Sequence, residues 1–132
     1  MHIPDMSTSG SGRVAVGWLH PDHPFRQGAV SPAFIARLTE FARRYGDSAR
    51  ALGWGATDGC HECEFCDKAL GFGSFGVPMG GRLFYAPEMI AHYVEKHGYA
   101  PPAEFVESVL ACPLPGTPEY DEAVRPFALR YP

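Results

Sequence analysis

From Ser31 to Gly46 the chain reads SPAFIARLTEFARRYG, and its apolar residues recur three and four positions apart. Phe34, Ile35, Leu38, Phe41, Ala42 and Tyr45 fall on one side of a helix, with Arg37, Glu40, Arg43 and Arg44 on the other. Ser31 is placed to cap this helix, Pro32 enters it where a missing N–H costs nothing, and Gly46 is expected to end it. A second helix is predicted over 87–97, turning Met89, Ile90, Tyr93, Val94 and His97 inward and stopping at Gly98. A third restarts at Pro102 and presents Phe105, Val106, Val109 and Leu110 before Pro113 ends it. Strand patterning is shorter. RVAVGWL, from Arg13, alternates with Val14, Val16 and Trp18 on one face until the prolines of HPDHPF stop it. After the cysteines, KALGFGSFGVPMGGRLFYAP predicts two short strands around a turn at Pro78 to Gly81.

These elements predict an α+β fold, a small antiparallel sheet with about three helices packed on it around a knuckle–hairpin–helix core like that of a zinc finger. Residues 1–12, polar and aperiodic, are expected to be a disordered tail. Residues 13–132 are expected to form one zinc-binding domain, with the last 20 residues an extended arm holding at most a short turn of helix.

A chain of 132 residues buries roughly two thirds of the surface its unfolded form exposes, so it does not need a metal merely to fold. The 15 glycines and 13 prolines predict short elements joined by many fixed turns. A net charge of -4 offers nucleic acid no broad basic surface and makes such a partner unlikely; Arg37, Arg43, Arg44 and Arg50 are the one local exception. Neither a run of 18 apolar residues nor a secretory leader stands in the sequence, so no membrane association and a cytoplasmic location are expected. There, cysteines two residues apart serve more often as metal ligands or redox pairs than as structural disulfides.

CHECEFC, residues 60–66, holds three of the four cysteines. Zinc in a structural site takes four soft or borderline ligands in a tetrahedron. Cys63 and Cys66 form the usual knuckle, and His92 and His97 of HYVEKH complete the pattern C-x2-C-x25-H-x4-H. On an ideal helix two residues five apart diverge by about 140°, so a tightened last turn before Gly98 is expected to bring both imidazoles to one zinc ion. The pattern resembles an enlarged two-Cys two-His finger. Other readings compete. His97 could be a core histidine and His92 a surface one. Cys60, Cys63, Cys66 and Cys112 loosely match an iron–sulfur run, and Cys63 with Cys66 could be a redox dithiol. Cys60 or His61 could replace a histidine as fourth ligand. A zinc hydrolase or lyase would instead keep a position open for water, beside Glu62, Glu64, Asp58, His61 or His20 as acid or base; whether the chain is an enzyme stays undecided at this level.

Other motifs are weaker. GFGSFG matches G-x-G-x-x-G, but Val77-Pro78 follows where a helix should open, which favours hairpin bends over a nucleotide site. HPDHPF gathers His20, Asp22 and His23; proline-rich turns collect such residues, and proximity to the cysteines would raise its interest. Phe72, Phe75 and Met79, spread among glycines, suggest a contact surface for a protein partner or a homodimer, against the alternative that they close over the core.

Taken with YAPEMIAHYVEKHGYAPPAEF, residues 85–105, the knuckle resembles a family of small uncharacterised bacterial proteins: a Cys-Glu-Phe-Cys knuckle, a Tyr-Ala-Pro segment, a His-Tyr-x-x-x-His helix and a Tyr-x-Pro-Pro turn. The resemblance spans about 14–112. It implies that Cys63, Cys66, His92 and His97 occupy that family's recurring positions, and carries no activity with it.

Overall fold

The computed structural model describes residues 2–8, 12–54, 61–66 and 70–128. The first strand, β1 (Arg13–Ala15), is shorter than its pattern suggests. Val14, Ala15 and Val16 are all buried, so the strand is covered on both faces rather than alternating. Helix α1 (Pro32–Arg43) starts as expected, with Ser31 accepting a hydrogen bond from the Phe34 amide at 3.1 Å. It ends earlier than expected, because Arg44 breaks the helical geometry and a second helix, α2 (Tyr45–Leu52), takes Gly46 into its first turn. The stop is Gly53, in the left-handed conformation with φ 76°.

A two-stranded antiparallel ribbon, β2 (His61–Glu62) with β3 (Leu70–Gly71), flanks the knuckle. The predicted hairpin follows as β4 (Ser74–Met79) and β5 (Arg82–Pro87), paired from Ser74↔Pro87 to Met79↔Arg82. Its loop is Gly80-Gly81, both with positive φ (57° and 81°), the two-residue turn whose twist matches the strands. β1 joins β5 in parallel, Val14 opposite Phe84, giving the order β1-β5-β4. The sheet is therefore mixed, where an antiparallel one was expected: β1 is connected to β5 through two helices, the β2–β3 ribbon and β4, a path long enough to permit parallel pairing.

Helix α3 (Ile90–His97) ends at Gly98, with φ 69°. Helix α4 (Ala103–Ala111) buries Phe105, Ser108 and Val109, leaving Leu110, expected inside, 44% exposed. The last helix, α5 (Pro118–Val124), stands where an extended arm was expected; Thr117 caps it by accepting from the Tyr120 amide at 3.2 Å, and a 3-10 turn over Arg125–Phe127 follows. The fold class is α+β as predicted, with five α-helices among the described residues.

Helix α1 packs on α3 and α4, while α2 and α5 lie along β4. Edge-to-face and tilted rings join these layers: Phe34 with Phe105, Phe84 with Phe105, and Phe41 with both Phe75 and Tyr120. Phe75 is fully buried in this core; Phe72 and Met79 are exposed, but Phe72 precedes β4 and Met79 is its last residue, so the three do not form one patch. The described N-terminal residues 2–8, a leader ahead of β1, are also placed. Where a disordered tail was expected, residues 3–8 run along β1 and the residues after it, through Ile3 N–H to Trp18 O (3.1 Å), Met6 N–H to Ala15 O (2.7 Å) and Ala15 N–H to Ser7 O (2.9 Å).

Candidate metal centre

Two short segments converge to build the site. β2 delivers Cys63 and the turn after it carries Cys66, whose amide bonds back to Cys63 O at 3.4 Å. α3 supplies His92 and His97. The segment between is pinned in place by steric and polar detail: Phe72 N–H donates to Glu88 Oε1 (2.8 Å), and Glu88 N–H donates to Gly73 O (2.8 Å). A Cβ on Gly71 would sit 2.6 Å from Met89 Cγ, so glycine there lets β3 lie against the start of α3. Two glycines of GFGSFG serve close packing, for Gly76 likewise presses against Leu52 and Leu83.

Cys63 Sγ lies 3.5 Å from His97 Nε2, Cys66 Sγ lies 3.3 Å from His92 Nε2, and the two Nε2 atoms are 3.2 Å apart. All four donor atoms fall within 4.8 Å of one another. A regular tetrahedron with Zn–S of about 2.3 Å and Zn–N of about 2.0 Å has S···N edges of ~3.5 Å and an N···N edge of ~3.3 Å. The donor set and its spacing therefore suit one metal ion, although the helix stays α through His97 and the expected tightened turn does not occur. The imidazoles themselves close the angle, meeting at 74° with centroids 5.0 Å apart.

Burial is the leading influence on the electrostatics of the site. Burial raises the Cys63 thiol above its usual range, while the backbone N–H groups of Phe65 and Cys66 point at its sulfur and favour the thiolate. His92 is lowered, first by burial and then by His97 and Lys96, which keeps its ring neutral and free to ligate. Cys63 is fully buried and the other three are partly so. Phe65, inside the knuckle, lies against Tyr93 and His97 with centroids 5.7 and 5.3 Å away, shielding one side.

The remaining candidates sort themselves around this cluster. Cys60 and Asp58 lie outside the described residues, and of His61 only the backbone in β2 is described. Glu62 is exposed. Cys112 is buried at the end of α4, on another part of the chain from the knuckle. HPDHPF does come next to the knuckle: His20 Nε2 is 2.9 Å from Glu64 Oε2, and His20 Nδ1 accepts from the Asp22 amide at 3.1 Å. That acceptor role assigns the proton to Nε2, so His20 donates to Glu64. The four arginines of the local basic patch are engaged elsewhere. Arg37 binds the carbonyls of Val109 and Cys112, Arg43 and Arg44 pair with Glu40, and Arg50 pairs with Asp47. The roles of Glu88 and Asp5 leave no local signature in the sequence, since each acts through contacts with other segments; Phe65 belongs to the knuckle motif, but its packing on Tyr93 and His97 is set by the fold.

The family described as Domain of unknown function (DUF7919) matches residues 2–110, a span that takes in both halves of the cluster. The chain belongs to that family. No curated protein and no solved structure matches it significantly. No helix among the described residues is long and apolar enough to cross a membrane.

Proposed function

We propose that Cys63, Cys66, His92 and His97 hold one zinc ion in a closed, structural site, and that the chain is a small binding or regulatory module built around it. The convergence of all four donor atoms within 4.8 Å carries this reading. Zinc suits a ligand set of two thiolates and two imidazoles and imposes no geometry of its own beyond the tetrahedron. Bound there, it would cross-link the knuckle to α3 and reinforce the contacts that β3 and Phe65 already make with that helix and its start. Four protein ligands fill a tetrahedron, which favours this reading over a hydrolase or lyase with water in the fourth position. Acid–base residues beside an open site would have another task; Glu64 is instead occupied with His20. Protein purified without added metal should contain about one zinc per chain, and cobalt in its place should give the intense visible bands of a tetrahedral thiolate site. A chain that folds and melts identically before and after complete metal removal would defeat the structural role.

A further inference from the structure

The leader reaches the far end of the metal helix. Tyr99, two residues beyond His97, is fully buried, and its hydroxyl donates to Asp5 Oδ2 at 2.6 Å. The other oxygen, Asp5 Oδ1, accepts from the Gly17 amide at 2.9 Å. One carboxylate thus ties together the leader, the turn after β1 and the segment that closes α3. Tyr99 is joined to the metal cluster by two routes. Its amide and that of Gly98 both bond to Tyr93 O, fixing how the chain leaves His97. Its ring meets Phe25 at 6.0 Å, Phe25 meets Phe65 at 5.4 Å, and Phe65 meets His97 at 5.3 Å.

We propose that residues 3–8 form a strap whose docking is coupled to metal retention, with Asp5 and Tyr99 as positioning residues for His97; this rests on the metal reading above. The strap is held by three main-chain bonds and the Asp5 contacts, with Met6 only partly buried against the core. A segment so held is the kind that releases before the core does. When it leaves, the buried Tyr99 hydroxyl loses its acceptor, which is costly enough to loosen the turn that follows His97. Linkage makes the coupling reciprocal: a metal that holds His97 in place also holds the strap down.

Zinc-loaded chain, transferred into excess chelator, reads the coupling as a release rate. Tyr99→Phe and Asp5→Ala should each release zinc about tenfold faster, whereas Tyr120→Phe, which loses an equally buried hydroxyl on the other side of the core, should release it at the wild-type rate. Amide hydrogen exchange gives the reverse reading. Metal removal should accelerate exchange at Met6, Ala15 and Gly17 by more than at Val77 and Phe84 of the central hairpin. Unchanged release in both strap variants, equal acceleration by Tyr120→Phe, or a uniform rise in exchange would overturn the coupling while leaving the metal reading intact. A chain that takes up neither zinc nor cobalt would overturn both.

Discussion

Ser48 Oγ and Tyr120 Oη lie 2.6 Å apart, both fully buried, and they close a ring of hydrogen bonds onto one residue of the sheet. Gly76 N–H donates to Ser48 Oγ at 2.9 Å, and Tyr120 Oη–H donates to Gly76 O at 2.6 Å. Since the phenol proton goes to Gly76, the serine proton goes to the phenol oxygen. β4 is the edge of its sheet, and the ring satisfies main-chain groups that would otherwise invite another strand. It also docks α2 and α5 on that edge.

Replacing Ser48 by Ala removes one oxygen and leaves the Gly76 amide buried without a partner. The expected loss is about 1–3 kcal/mol, read as a lower denaturant midpoint with an unchanged slope. Metal content should stay at the wild-type level, because the ring touches none of the four clustered Cys and His residues. A loss confined to metal binding would contradict this placement.

The two kinds of cysteine should behave differently on substitution. Cys63→Ser or Cys66→Ser should lower both bound zinc and cooperative melting, since either removes a vertex of the proposed site. Cys112→Ser should keep its zinc and lose stability only through its buried position. Metal analysis beside a melting curve separates the two; zinc loss in the Cys112 variant would reopen the ligand assignment.

Alkaline stability offers a third measurement. Burial pushes the Cys112 thiol from its ordinary 9.0 up to about 12, against a smaller opposing pull from Arg37. The unfolded chain therefore gives up this proton first. Its stabilising contribution is fully present below about pH 9 and is lost as pH rises toward about 12. Tyr99 and Tyr120, both raised chiefly by burial, act in the same direction above their ordinary 10.0. Denaturant titrations of zinc-loaded protein at a series of pH values should show stability declining from about pH 9. Cys112→Ala should flatten the first part of that decline and leave the tyrosine part. Parallel curves for the two proteins would exclude the thiol as the cause.

Local chemistry made much of this molecule readable from the chain alone. The start of α1 follows from Ser31-Pro32, the hairpin from alternating residues around Gly80-Gly81, and the end of α3 from Gly98. The start of α5 follows the same rule, for Thr117-Pro118 repeats the cap of α1. The clustering of Cys63, Cys66, His92 and His97 was legible for a related reason. Metal-binding residue types carry a spacing rule that depends on only a few bonds of backbone, and C-x2-C with two histidines on one helix satisfies it.

Tertiary structure alone decided where those local pieces meet. No spacing rule makes β1 lie parallel to β5, continues the helical path through Gly46, or sends Tyr99 to Asp5 across 94 positions. Nor does one lead Gly76 to Ser48 and Tyr120. Such contacts arise because buried polar groups must find partners wherever the packed core brings them, and that requirement acts on distance in space, which a linear pattern of polar and apolar residues does not encode.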